Sequence, residues 1–177
     1  DSLRAYNYSR EIIFHRGVGV TLAKNNWEGT LVGSYRKLDA NFAAGDTLLT
    51  QDDYITSLQT SGYHRTASEI ADKGIQRQLA FGGNLSYRLN TFHIGLNAIQ
   101  YAFKYPLQKA TDPYNFYALT GKNFGNYSTD YSYTYRNLHF FGEAAISDKK
   151  YPAFINGLPL STAPNVDMSF VYRNISK

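Results

Sequence analysis

Long runs in which apolar and polar residues alternate one by one constrain this chain more than any other feature. Residues 78–89 read QLAFGGNLSYRL. Leu79, Phe81, Gly83, Leu85, Tyr87 and Leu89 share one parity, and Gln78, Ala80, Gly82, Asn84, Ser86 and Arg88 the other. Successive strand side chains point to opposite faces, so this run predicts a strand with one oily and one polar side. The pattern recurs over residues 11–24, 27–37, 123–136, 138–147 and 166–173. Residues 92–104 start with Phe92, Ile94 and Leu96 on the apolar parity and then switch to Ile99, Tyr101 and Phe103. That switch predicts a β-bulge, whose extra residue exchanges the faces. Residues 151–161 carry Pro152 and Pro159, which cannot donate to a ladder, so a short, irregular or edge strand is expected there. The total is about eight strands.

The connections alternate in length. Asn25-Asn26, Asn90-Thr91, Asn137 and Ala163-Pro164-Asn165 read as tight turns, because Asn tolerates the positive φ of hairpin turns. The other connections, 39–77, 104–122 and 147–152, are longer. The runs exceed the ~5–6 residues of a usual globular strand and match the ~9–11 of a tilted membrane strand. The expected fold is therefore all-β: an antiparallel up-and-down transmembrane β-barrel, with residues 1–177 forming one barrel domain or part of one. The 39–77 connection is expected to be a partly helical extracellular loop. Thr66-Ala67-Ser68-Glu69 fits a capping box for a helix over 67–73, and Thr50-Gln51-Asp52-Asp53 predicts a second helix near 51–59.

A Tyr-Arg pair closes four of the segments, in SYRKL (34–38), SYRLN (86–90), TYRNL (134–138) and VYRNI (171–175). Each Tyr has the oily parity and each Arg the polar one. Tyr is also abundant, with 16 copies against a single Trp. Aromatics at strand ends fit membrane-interface girdles, here Trp27, Tyr35, Tyr87, Phe92, Tyr135 and Tyr172. Glu28, Arg36, Arg88, Asp130, Arg136, Glu143, Asp167 and Arg173 have the parity of a lumen, where charges pair or line a water path. A soluble lipocalin-like binding barrel would alternate in the same way, and it would require Leu79, Phe81 and Leu85 to point inward.

Several function classes find no support in the sequence. The chain has no Cys, hence neither disulfides nor a thiolate metal site. Its net charge of +4 is spread among acids, unlike a nucleic-acid surface with clustered cations. No apolar run reaches the ~18–20 residues of a membrane helix. His15, His64, His93 and His139 show no metal-ligand spacing, and no G-x-S-x-G elbow is present. No catalytic residue, cofactor or metal is assigned, and a non-enzymatic role is expected. The alternative, an outer-membrane enzyme using lumen or loop carboxylates, predicts Asp130 or Glu143 close to a His. His64 and Arg65, at the start of the loop helix, are candidates for a partner contact, with local capping as the plainer reading. The opening Asp1-Ser2-Leu3-Arg4 lacks Met, so a processed chain or a piece of a longer one is expected.

Taken in order, GYHRTASEIADKG (62–74), FGGNLSYRL (81–89), YPLQ (105–108), FFGEAAISD (140–148), INGLPLS (155–161) and SFVYRNISK (169–177) resemble a family of Bacteroidota outer-membrane proteins. That family is named for an N-terminal helix-hairpin-helix domain, and its function is not established. The resemblance is to its C-terminal barrel region. It implies a bacterial outer-membrane location and a fragment of a larger barrel. The implied partners are the lipid bilayer and other outer-membrane or periplasmic proteins. The implied role is structural, pore-forming or in assembly, as a subunit of a transport or secretion complex. The helix-hairpin-helix part resembles DNA-uptake modules but lies outside this segment, so no direct nucleic-acid binding is expected of it.

Overall fold

The alternating runs do form strands. A computed structural model describes residues 15–45, 52–60, 62, 64–110, 112–116, 118–148, 151–163 and 166–176. In chain order the strands are β1 (Gly17–Lys24), β2 (Trp27–Leu38), β3 (Ala40–Ala43), β4 (Tyr54–Leu58), β5 (Gln76–Arg88), β6 (Phe92–Leu107), β7 (Gly121–Tyr135), β8 (Leu138–Ser147), β9 (Pro152–Ala163) and β10 (Val166–Ile175). Among the described residues an α-helix, α1 (Ala67–Ala71), precedes β5, and a short 3-10 turn (Pro113–Asn115) lies between β6 and β7. All ten strands belong to one sheet, whose main path runs β1-β2-β5-β6-β7-β8-β9-β10. Every pairing along that path is antiparallel. These are the eight expected strands in the expected up-and-down order. The sheet is not closed: among the described residues β1 pairs only with β2, and β10 only with β9.

Register assigns the two faces. Opposed residues on antiparallel neighbours lie on one side, so Val20, Leu31, Gly83, Ala98, Tyr127 and Ile146 form one outer row. On the inner side Thr30, Asn84, Asn97, Ser128 and Ala145 form another. β6 corrects the expected bulge. Its register with β5 is unbroken from Phe103 to His93, and with β7 from Ala102 to Phe92. The irregularity lies further on, between Ala102 and Leu107. Ile99, Tyr101 and Phe103 therefore share the inner face with His93, Gly95 and Asn97. The apolar parity moved because the inner face itself becomes apolar there.

The insertion between β2 and β5 packs against the end of β6 just beyond these residues. β3 and β4 form a hairpin, and Ile55 of β4 bridges Leu107 of β6. Ile55 and Ala40 are fully buried, and Leu38 nearly so. Phe42 meets Tyr105 edge-on at 5.4 Å. The hairpin thus joins the sheet at the long-loop end of β6. β4 also replaces the helix expected near 51–59: Tyr54, Ile55 and Thr56 are residues that favour strands, and burying Ile55 outweighs acids placed for a helix start. The capping box is present, with Glu69 N donating to Thr66 Oγ1 at 3.2 Å and Thr66 N donating to Glu69 Oε2 at 3.1 Å. Asp39 fastens the insertion at both ends. Its carboxylate bonds His64 Nε2 at 2.8 Å and accepts from Gly74 N at 2.7 Å. Gly74 has φ +63°, which a glycine adopts without steric cost.

Two further expectations are corrected. β9 is neither short nor at an edge: it has 12 residues and lies between β8 and β10. Pro152 opens it, and at Pro159 the β8 ladder skips from Leu138↔Leu160 to Phe141↔Gly157, so of the three expected forms the irregular one is present. In the β7–β8 turn, Arg136 and not Asn137 takes positive φ, at 53°, as Asn25 does in the β1–β2 turn. The expected turn at 163–165 falls partly outside the described residues, as do residues 11–14 of the first expected strand.

Candidate functional site

The outer face keeps one character along its whole height. Val18, Leu22, Leu31, Phe81, Leu96 and Phe170 are all exposed, each by more than half of its surface. At the tight-turn end aromatic residues gather on this face. The Trp27 and Tyr87 rings stand 4.7 Å apart, and Phe92, Tyr133 and Phe140 form one cross-strand row. Tyr135 lies beside Leu138 at the same end. Tyr35 and Tyr172 lie near the other ends of β2 and β10. The six expected girdle aromatics therefore share the outer face, in two groups at the strand ends. Tyr131, which the sequence reading did not single out, crosses Gly142 and donates its hydroxyl to Asn156 Oδ1. A Cβ on Gly142 would stand 2.6 Å from that hydroxyl. Leu79, Phe81 and Leu85 are 37%, 58% and 47% exposed, on the face opposite to the one a lipocalin-like core requires.

The inner face carries a polar network toward the turn end. Asn84 Nδ2 donates to Asn97 Oδ1 at 2.6 Å. Asn97 Nδ2 donates to Asp130 Oδ1 at 2.8 Å and Ser128 Oγ at 3.2 Å. His93 Nδ1 lies 3.3 Å from Asp130 Oδ2. Gly95 leaves the room for this carboxylate, since a Cβ there would sit 2.5 Å from Asp130 Oδ1. Glu143 stands directly opposite Asp130, and two facing carboxylates repel. Glu28 and Arg88 continue this face on β2 and β5. Arg173 stands opposite Ile155, and Asp167 opposite Ser161. Arg136 lies in the turn instead of on a strand face, with its guanidinium 5.3 Å from the Tyr135 ring. No group of three His, Cys, Asp or Glu residues able to hold a metal occurs among the described residues.

At the long-loop end the inner face lines a half-open cavity of about 760 Å³. Its floor is Arg36 of β2, Gln78 of β5, Tyr101 and Phe103 of β6, and Phe124 and Asn126 of β7. Arg36 Nε donates to Gln78 Oε1, and Gln78 is only 5% exposed. Phe103 and Phe124 meet edge-on, 5.8 Å apart. The His15 ring lies 6.0 Å from Tyr101. Burial, and then the charge of Arg36, hold His15 below the usual histidine pKa. Asp148 and Tyr151 line the side formed after β8, and Ser176, just beyond β10, reaches the same cavity. His15 and Ser176 flank the two opposite edge strands, so the sheet is rolled far enough for both to line one space.

Sequence reasoning singled out Arg36 but none of the aromatic residues around it. The available signal was the pair Gln76 and Gln78 on the inner parity. Both are buried, and a buried amide must find partners. Gln76 does so by bridging Tyr105, donating to its carbonyl at 2.7 Å and accepting from its N–H at 3.0 Å. His64 and Arg65 serve the insertion itself: His64 bonds Asp39, and the Arg65 N–H donates to Glu69. No family model, curated protein or solved structure matches the chain.

Proposed function

We propose that this chain forms the wall, or part of the wall, of an outer-membrane β-barrel. Its role in this reading is structural, pore-forming or in assembly, within a larger outer-membrane transport or secretion complex. The observation that carries the reading is the exposed apolar outer face across all eight meander strands, bordered by aromatics at the strand ends. A soluble monomer rarely exposes more than a few hundred Å² of contiguous apolar surface, whereas a lipid-facing barrel wall requires it. The long strands and alternating loop lengths support the same reading, as does the resemblance to the Bacteroidota barrel region. In hydrocarbon each unpaired backbone group costs several kcal/mol. The free edges of β1 and β10 are therefore joined in this reading, to each other or to further strands.

Trp27 is the single tryptophan and lies in the turn-end belt, which makes it the reporter. Reconstituted into vesicles of lipids brominated at different acyl depths, the protein should show Trp27 fluorescence quenched most by bromines nearest the headgroups. A protein that stays in the aqueous fraction, with Trp27 unaffected by any brominated lipid, would refute the membrane reading. A second reading, an outer-membrane hydrolase working from lumen carboxylates, gains support from the 3.3 Å approach of His93 to Asp130. It requires hydrolysis of an ester or glycoside probe that Asp130→Ala abolishes while the fold persists.

A further inference from the structure

We infer that the long-loop end of the outer face binds lipids whose headgroup carries an anionic phosphate with no cation of its own beside it. The residues concerned are Lys37 of β2, Arg77 of β5 and Lys104 of β6. Lys37 stands directly opposite Arg77. Arg77 precedes Gln78 and Lys104 follows Phe103, and Gln78 faces Phe103, so Lys104 continues the row. All three are exposed. The row crosses three strands, a width of roughly 10 Å. Each cation lies two residues beyond a member of the outer row Tyr35, Leu79 and Ala102, and so shares the outer face with it.

The charge of this row is unbalanced. Like charges directly opposite each other destabilise a strand pair. None of the three cations forms an ion pair among the described residues. Asp39, two residues beyond Lys37, gives its carboxylate to His64 and Gly74. Lys104 Nζ donates to the Tyr105 hydroxyl at 2.7 Å and lies 4.3 Å from the centre of that ring, a neutral partner that leaves its charge unmatched. A single Lys or Arg at an interface is ordinary, because its stem lies along apolar surface while its head stays wet. Three in one row repel one another until an anion lies over them. The turn end has no such row: Lys24 stands opposite Trp27, and Tyr87 and Ile94 follow.

Height and chemistry select the occupant. Two residues beyond Tyr35 is roughly 7 Å along the strand, within a headgroup layer about 5–8 Å deep. The Arg77 fork matches two phosphate oxygens, and the two ammonium groups add point charges on either side. Below them Tyr35, Leu79 and Phe81 are exposed and meet the acyl chains. The inference rests on the membrane reading and adds which lipid this end of the wall selects.

Electron spin resonance of the protein in phosphatidylcholine vesicles tests it, with chain-labelled phosphatidic acid and chain-labelled phosphatidylcholine as probes. Both labels should show a motionally restricted population at the protein surface, and phosphatidic acid should associate at least about threefold more strongly. High salt should erase that preference. Lys37→Gln, Arg77→Gln and Lys104→Gln should each lower it, and the triple variant should bring the two lipids to parity, while Lys24→Gln leaves it unchanged. The restricted phosphatidylcholine signal reports that each variant is inserted, so misfolding cannot imitate the loss. Equal association of the two lipids with the unaltered protein would overturn the inference and leave the membrane reading standing. No restricted population with either lipid would overturn both. A preference erased by inorganic phosphate but not by sodium chloride of equal ionic strength would assign the row to a soluble anion and overturn the lipid assignment.

Discussion

The two ends of the inner face are built from the same strands and have opposite characters. Toward the tight turns, β5, β6 and β7 present Asn84, Asn97, Ser128 and Asp130 in a hydrogen-bonded row. Toward the long loops the same three strands present Ala80, Tyr101, Phe103 and Phe124, and Leu58 of the β3–β4 hairpin lines the same cavity as the three aromatic rings. The outer face shows no such change: exposed apolar residues run along its whole height. The difference teaches that a strand face is not a single environment. It takes its composition, position by position, from whatever covers it.

The sharpest way to break this contrast is to loosen the cover. Ile55 is fully buried, and its carbonyl accepts from Gln108 N at 2.9 Å. Ile55→Ala removes buried methyl groups at a cost of about 2–5 kcal/mol. Proteolysis within residues 39–75 should accelerate accordingly. Ser128→Ala, at the uncovered end, gives up one neutral hydrogen bond and should cost only about 0.5–1.5 kcal/mol. Denaturant unfolding of the two variants measures the gap. Equal costs would mean that the hairpin is not fastened to the sheet.

Much of this was legible in the sequence. The eight meander strands, their alternating connections and the sidedness of Tyr87, Phe81 and Leu85 follow from period two alone, because a pleated strand enforces that period whatever surrounds it. The capping box at Thr66 was equally local. What could not be read depended on contacts distant in sequence. Ile99, Tyr101 and Phe103 looked like exchanged faces because nothing local reveals that the inner face lines a cavity at that end. Tyr54–Leu58 looked helical from its preceding acids, and its pairing with β3 decides otherwise. The cavity escaped for the same reason, since Arg36, Gln78 and Phe124 come from three strands and converge only when the sheet rolls.

A smaller effect probes the outer face, where close packing replaces the hairpin as the source of order. A Cβ on Gly142 would meet the Ile155 carbonyl oxygen at 2.8 Å and Asn156 Oδ1 at 2.5 Å. The carbonyl belongs to the β9 backbone and cannot swing aside. Gly142→Ala should therefore destabilise by about 1–3 kcal/mol, a typical cost of overpacking. Tyr131→Phe should rescue it only in part, because the carbonyl clash remains. Full rescue would show that the Tyr131 hydroxyl, not the β9 backbone, sets the limit.

The two ends also differ in how their turns reach positive φ. The long-loop side uses glycines, Gly62, Gly74 and Gly121, while the turn side uses Asn25 and Arg136. A left-handed conformation costs a β-carbon-bearing residue about 1–2 kcal/mol, and Asn meets it more readily than Arg. Arg136→Gly should stabilise the β7–β8 hairpin by about 1 kcal/mol or less, net of the lost stacking on Tyr135. A higher unfolding midpoint at unchanged slope is the expected result. A loss would mean that the stacking outweighs the strain.

The smallest expected effect is a pH dependence confined to the cover. Glu69 is held below the usual carboxylate pKa, first by the Arg65 N–H, then by the Thr66 N–H. A carboxylate with a lowered folded pKa contributes its stability above the unfolded value and loses it as pH falls through the folded one. The start of α1 should therefore fray in acid, as the pH falls below the ordinary glutamate value of 4.5. Glu69→Gln keeps an oxygen that can accept from the same two amides but has no proton to gain, so it should weaken the cap slightly at neutral pH and abolish the acid step. Amide exchange at Arg65 and Thr66, followed across that range in both proteins, reads this directly. An acid step that survives in Glu69→Gln would assign it to another carboxylate of the insertion, with Asp39, bonded to His64 and Gly74, the next to be tested.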